Sequence, residues 1–380
     1  MKRSTNGILT SHTGCLVQPA DLYEMLQEKE QGKPVDLEAL DLAVRRAVMD
    51  VVRKQADAGL TVVNDGEESK VSYSTYVRDR LNGFGGAEIA RRLRNEETLQ
   101  FPEYFARRAT RTTRQRLACV SPLSWKDFAA VEKDVENLKA ATKGVKVEDV
   151  FMTSLSPGCI TNSQPNRYYP TEEAYMHALG DVMKREYEAI NKAGFALQLD
   201  CPELAMVRSS EYADLSLEEY RKVMAGHVEA LNYAVAGLPA EDMRMHVCWG
   251  RPESPKLTDI PLKDIVDLLL KTKPAGISVV AANGRHEHEW KVWKDVNAKG
   301  RVLIPGVIDN TTNIVEHPET VAERFVRYAS VVGRENVIGG TDCGFGNAPK
   351  GTDVDPTVAW AKLRSMAEGA ALATKELWGK

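Results

Sequence analysis

His246 and Cys248 stand two residues apart in the run His-Val-Cys-Trp-Gly, and Cys343 follows far downstream in Gly-Thr-Asp-Cys-Gly-Phe-Gly. One imidazole and two thiols form the donor set of a catalytic Zn²⁺ that keeps a coordination position open. Side chains alternate along a strand, so His246 and Cys248 share a face and one metal could take both. A neutral imidazole and two thiolates cancel the charge of Zn²⁺, and an incoming thiol would lose its proton on binding. Such a sulfur attacks alkyl electrophiles, which favours S-alkylation; water in the open position would favour hydrolysis instead. The plainer alternative is a core histidine with two packed cysteines.

Carboxylates lie close to comparable positions. Asp65-Gly66-Glu67-Glu68 and Asp200-Cys201-Pro202-Glu203 each follow an apolar run, where Glu67 and Asp200 could grip a substrate amino group or serve as general acid. Helix capping is the competing role. A further cluster, Asn283-Gly284-Arg285-His286-Glu287-His288-Glu289-Trp290, offers a His-x-His spacing. Support for the metal, or proton donation by His286 or Glu289, is weighed there against a merely charged loop. The His-Glu-x-x-His pattern of metalloproteases is absent.

Eight short apolar, β-branched runs must position these groups: 8–12, 60–64, 150–155, 196–200, 243–249, 276–281, 302–309 and 336–341. Helical patterns follow at 37–58, 171–193, 215–236, 318–332 and 356–377, and Pro318 and Pro356 sit where a first helical turn tolerates proline. Eight strand and helix alternations predict a (β/α)₈ TIM-type barrel, one domain over 1–380. No Gly-x-Gly-x-x-Gly follows an early strand, which leaves a doubly wound dinucleotide fold without support. In a barrel the C-terminal strand ends carry function, and here they are polar: His12, Asp65 and Glu67, Ser156, Asp200, His246 and Cys248, Asn283, Asp309, and Asp342 with Cys343. A long excursion at about 73–146 interrupts the alternation. Its arginines Arg107, Arg108, Arg111, Arg114 and Arg116 read as a solvated surface, or as a clamp for an acidic ligand. Phe84-Gly85-Gly86 within it reads as a loop.

The 380 residues are 43% hydrophobic and carry a net charge of −4, which fits a large core and argues against a nucleic-acid or membrane-surface protein. No apolar run approaches the ~20 residues of a membrane span, and no signal peptide is evident, so a cytoplasmic location is expected. Six scattered cysteines, Cys15, Cys119, Cys159, Cys201, Cys248 and Cys343, are expected to be reduced. Oligomeric state is left open, a homo-oligomer included.

Taken in order, His-Val-Cys-Trp-Gly, Ala-Ala-Asn-Gly-Arg-His-Glu-His-Glu-Trp, Ile-Pro-Gly-Val-Ile-Asp and Gly-Thr-Asp-Cys-Gly-Phe-Gly resemble the cobalamin-independent methionine synthase family. Ile-Leu-Thr-Ser-His-Thr-Gly, Asn-Asp-Gly-Glu, Leu-Ser-Pro-Gly and Leu-Gln-Leu-Asp-Cys-Pro-Glu extend the likeness over about 8–346. Its short, single-barrel members match best, the epoxyalkane:coenzyme M transferases among them. The resemblance implies a zinc held by His246, Cys248 and Cys343 that activates a small thiol for alkyl transfer, with Glu67 and Asp200 matching acidic residues that hold homocysteine. Two departures stand out. Synthases place a glutamate ligand in a run like Ser-Ile-Glu, whereas this chain has Ser278-Val279-Val280. Either Glu287 or Glu289 swings in, or the metal has three protein ligands. In addition, Ser156-Pro157-Gly158-Cys159 lacks the tryptophan that full-length enzymes offer to folate.

The first expectation is therefore a transferase joining coenzyme M to an epoxide, with Arg78, Arg80 or Arg285 on the sulfonate and His12, Ser156, Asn283 and Asp309 lining the substrate site. The alternative is methylation of homocysteine from methyltetrahydrofolate or another donor. A third reading is a zinc and thiol-binding paralogue without turnover.

Overall fold

The computed structural model describes residues 1–86, 96–108, 116–298, 300–349 and 353–379, the side chain of residue 108 excepted. Arg111, Arg114 and the Arg108 side chain lie outside the described residues.

Ten strands follow in chain order: β1 (Leu9–Thr10), β2 (Val62–Val63), β3 (Leu81–Gly85), β4 (Ala118–Trp125), β5 (Asp149–Leu155), β6 (Ala196–Asp200), β7 (Met243–Val247), β8 (Gly276–Val279), β9 (Val302–Ile308) and β10 (Ile338–Thr341). Eight of them form one parallel sheet in the order β1-β10-β9-β8-β7-β6-β5-β2. Its two end strands meet without a strand ladder. Thr61 N donates to Thr10 O at 3.2 Å, and Thr10 N donates to Thr61 Oγ1 at 2.8 Å, which closes the (β/α)₈ barrel. Every predicted run overlaps one barrel strand, and β6 matches its prediction residue for residue.

Helices cover the barrel because their apolar stripes need a partner surface. Leu37–Asp57 buries Leu40, Val44, Val48, Val51 and Val52, and starts where Asp36 Oδ1 accepts from Glu38 N and Ala39 N. Leu217–Ala234 begins with a reciprocal capping box between Ser216 and Glu219, a device worth about 1 kcal/mol. Pro318–Val332 and Pro356–Trp378 both open on the proline read as a first-turn residue. Among the described residues no helix is long and apolar enough to cross a membrane.

The excursion holds an element that the sequence reading missed. β3 and β4 form an antiparallel hairpin outside the barrel, so Phe84 and Gly85 are strand residues rather than loop. A register shift between Asn82 and Phe84 brackets Gly83, whose φ of 110° suits a bulge. Glycines spaced along a bulged strand disguise its alternation.

Candidate metal centre and substrate cavity

Strand register assembles the site. Asp200 on β6 pairs with His246 on β7, and His246 pairs with Ser278 on β8. All three therefore point into the barrel mouth in one row. His246 Nδ1 lies 3.2 Å from Ser278 Oγ, while Nε2 is buried with no hydrogen-bond partner. Cys248 follows β7 directly and Cys343 sits two residues beyond β10. Their sulfurs are 3.7 Å apart, and the ligand atoms of all three residues lie within 4.8 Å of one another.

This geometry fits zinc. Two sulfurs on a tetrahedral zinc, each about 2.3 Å from it, stand about 3.8 Å apart, whereas a disulfide needs about 2.05 Å. A buried imidazole nitrogen without a partner is costly unless something occupies its lone pair. His246, Cys248 and Cys343 supply that vacant lone pair and two matched thiols. Contact with Cys343 draws the Cys248 thiol below its usual range, and the same contact raises Cys343.

A cavity of about 470 Å³ opens beside the three residues, with Glu67, Tyr73, Asp200 and Arg251 also in its wall. Glu67 follows Gly66 in a tight turn. Gly66 has φ 65° and Glu67 itself φ 60°, a left-handed conformation that costs a non-glycine residue of order 1 kcal/mol. The turn aims Glu67 inward, where Oε1 accepts from Thr153 Oγ1 at 2.9 Å and Oε2 has no partner. Burial lifts its pKa to about 7, against the opposing charge of Lys70 and with the help of Asp200. Lys70 Nζ donates to Thr153 O and Oγ1, so Thr153 links the two. Asp200 Oδ1 accepts from Gln198 Nε2 at 2.8 Å, and burial raises its pKa also, although the neighbouring His246 opposes this. Two acidic groups that share a dry cavity resist ionising together, and a bound cation would relieve both.

Below this row the barrel interior is polar. Arg244 donates to Gln198 Oε1, Ser11 Oγ and His12 O, and lies over the Phe151 ring. Gln198 passes that order upward to Asp200. Tyr73, in the same cavity wall, is the remaining surprise: desolvation raises its pKa well above the usual value, and the nearby Asp200 acts in the same direction.

No family model matches the chain. It is 24% identical over 369 residues to the methionine synthase of Thermococcus kodakarensis, covering 97% of this chain and 94% of that protein. The Pyrococcus furiosus methionine synthase is likewise 24% identical, over 97% and 93%. Among solved structures, a B12-independent methionine synthase from Shewanella sp. W3-18-1 superposes with a TM-score of 0.77 at 19% identity, covering 98% of this chain and 100% of that one. The chain is thus similar along its length to archaeal methionine synthases and shares its fold with a B12-independent methionine synthase.

The structure also shows what stands at and near Val280, where the resemblance leads one to expect a glutamate. Val280 is buried and apolar. Glu287 pairs with Arg324 at 3.2 Å and Arg327 at 3.6 Å. Glu289 Oε1 accepts from Leu262 N at 2.7 Å, and its Oε2 lies 2.9 Å from His286 Nδ1. Neither swings in, so among the described residues the candidate centre offers three donors, His246, Cys248 and Cys343.

Several predicted site residues lie outside the cavity wall because their polar atoms are committed elsewhere. His286 is clamped by Glu289 and by Asp259, 3.0 Å from Nε2, and stacks on Trp249. Burial pulls that ring down, but the two acids outweigh it and raise its pKa. It supports a loop and does not reach the cavity as a proton donor. His12 Nε2 meets Gln55 Oε1 at 2.9 Å, its Nδ1 accepts from Gly14 N, and burial lowers its pKa to about 4. Ser156 caps helix Pro157–Ser163 and donates to Glu203 Oε1. Asn283 Oδ1 accepts from Arg285 N, and Asp309 Oδ1 accepts from Thr311 N and Oγ1.

The arginines assigned to a sulfonate are corrected in the same way. Arg80 is buried against Asp134 and Glu186. Arg78 lies against the Gln164 amide, and Arg285 is exposed, donating to Leu257 O. Arg116, from the basic run, pairs with Glu211 at 2.8 Å. The guanidinium that does line the cavity, Arg251, has a weak sequence signal: it sits three residues past Cys248, in the loop after β7.

Proposed function

We propose that this chain transfers a methyl group from methyltetrahydrofolate or another methyl donor to the sulfur of a small thiol, homocysteine in first place, at a zinc held by His246, Cys248 and Cys343. The donor leaves demethylated, and the thiol's proton is released on binding. The observation that carries the reading is the buried, unpartnered His246 Nε2 beside two sulfurs 3.7 Å apart, in the wall of the cavity that Glu67 and Asp200 share. Zinc there supplies the Lewis acidity that keeps a bound thiol deprotonated and nucleophilic at neutral pH. The chain's own residues do the rest. Ser278 orients His246, while Glu67 and Asp200 attract an ammonium group and set the substrate's direction. The barrel walls limit water.

Relatives named methionine synthase along 97% of the chain support homocysteine over coenzyme M. So does the acidic pair, because coenzyme M has no ammonium for it to hold. The epoxide reading also loses its proposed sulfonate grip at Arg78, Arg80 and Arg285.

The test is zinc-edge X-ray absorption on zinc-loaded protein, recorded alone, with homocysteine and with coenzyme M. An added sulfur scatterer near ~2.3 Å with homocysteine only is the expected result. A sulfur added by coenzyme M alone would restore the epoxide reading. No zinc uptake, or no change with either thiol, would overturn both.

A further inference from the structure

Arg251 is the cavity's unanswered charge. Its guanidinium offers five N–H donors in a rigid fork. One of them, Nη1, donates to Phe345 O at 3.2 Å, and no carboxylate among the described residues pairs with it. Arg80 and Arg221, by contrast, are answered by Asp134 and Asp267, and the buried Arg244 by Gln198, Ser11 and the His12 carbonyl. The fork is also held in place. It packs against Gly346, where an added Cβ would fall 1.9 Å from Nη1 and 2.9 Å from Cζ, so only glycine lets it lie there. Gly346 in turn donates its N–H to Cys15 Sγ at 3.3 Å.

Cys15 locates the fork relative to the rest of the site. Burial raises its thiol pKa, with the charges of Glu67, Arg251 and Cys343 acting on it as well. Arg251, Glu67, Cys343 and Cys15 line the same cavity wall. A positive fork and an acidic pair in one cavity wall, with the three candidate sulfur-binding residues in the same wall, complement a molecule with an anion and a cation on one carbon and a thiol a few bonds away.

We propose that Arg251 binds the carboxylate of the thiol substrate, and that with Glu67 and Asp200 it restricts the cavity to α-amino-acid thiols. This rests on the reading that the cavity takes a small thiol, and adds what that reading lacks: a residue for the acidic end. Guanidinium and carboxylate match as planar bidentate partners, and here the guanidinium is half-buried. The specificity follows from subtraction. A thiol without a carboxylate leaves the fork unanswered, and a thiol without an ammonium leaves the acidic pair unanswered.

The experiment is calorimetric titration of zinc-loaded protein with four thiols: homocysteine, 3-mercaptopropionate, cysteamine and coenzyme M. Wild type should bind homocysteine most tightly. Arg251→Gln should weaken homocysteine and 3-mercaptopropionate by about 10- to 100-fold, the usual worth of a charge-assisted contact, and leave cysteamine unchanged. Its zinc content and melting temperature should equal those of wild type. Equal weakening of all four thiols, no weakening of any, or loss of zinc would overturn the assignment. Tighter binding of coenzyme M than of homocysteine by wild type would overturn the carboxylate specificity. Wild type that binds zinc but none of the thiols would overturn the thiol-transfer reading itself, a result distinct from a failure of Arg251 alone.

Discussion

Ser278 Oγ stands 3.2 Å from His246 Nδ1, and the neighbouring strands β7 and β8 hold the two residues in register. A serine accepting from Nδ1–H fixes the tautomer in which Nε2 carries the free lone pair. Ser278→Ala should therefore weaken zinc binding by about 10- to 100-fold without unfolding the barrel. Competition with a chromogenic chelator measures this directly. Unchanged affinity would mean that the tautomer is set some other way.

Glu289 and Glu287 give a paired prediction about the same centre. Glu289→Gln disturbs a buried clamp on His286 and should cost about 1–3 kcal/mol in chemical denaturation. Glu287→Gln touches half-exposed ion pairs and should cost less than about 1 kcal/mol. Zinc stoichiometry should be one per chain in both. A loss of zinc from either variant would restore a glutamate ligand and contradict the three-ligand centre.

These contrasts mark how far the residues could be read without coordinates. Barrel strands announced themselves because a strand buried on both faces is a short, mostly apolar run, unbroken by charge at 302–308 and interrupted only by inward-facing polar residues at 196–200. The candidate ligand group was legible because softness of donor, alternation along a strand and strand-end position all converge on His246, Cys248 and Cys343, which the fold brings together. Arginines were not. Whether a guanidinium is spent on a structural partner depends on contacts such as Arg80 with Asp134, 54 residues away, which no local pattern encodes. His286 failed for the same reason. Its acidic neighbours looked like chemistry, while Asp259, 27 residues upstream, completes a clamp. Conversely, Arg251 and Tyr73 lie in loops whose course only the fold reveals.

Arg80 itself yields a prediction. It is buried, ion-paired to Asp134, and stacked over Tyr76 with 4.8 Å from Cζ to the ring centroid. Arg80→Ala leaves Asp134 and Glu186 without their cation and should destabilise the fold by about 3–5 kcal/mol. Arg80→Met, which keeps the packing, combined with Asp134→Leu, should recover much of that loss. The double variant should bind thiols as wild type does. Impaired thiol binding in a stable double variant would bring Arg80 back into the site.

Glu203 makes stability depend on pH. It is buried, takes the Ser156 hydroxyl on Oε1, and leaves Oε2 without a partner; His227 Nδ1, also unpartnered, presses on the same Gly158. Burial raises the Glu203 pKa from 4.5 to about 8 and lowers that of His227 from 6.5 to about 4. Between pH 4.5 and 8 the folded chain holds the Glu203 proton that the unfolded chain has released. Its contribution is thus complete below pH 4.5 and is lost as pH rises through 8. His227 acts in the opposite sense, since the unfolded state takes up its proton as pH falls from 6.5 towards 4. The two slopes oppose each other on the acid side, leaving an uncompensated decline above pH 6.5. Glu203→Gln keeps the acceptor for Ser156 and has no proton to lose. Relative to wild type it should gain stability from pH 6.5 to 8, by at most about 1.4 kcal/mol per pH unit. Urea denaturation of both proteins at pH 5, 6.5 and 8 reads the difference, and a gap that does not change with pH would show that Glu203 is already ionised in the fold.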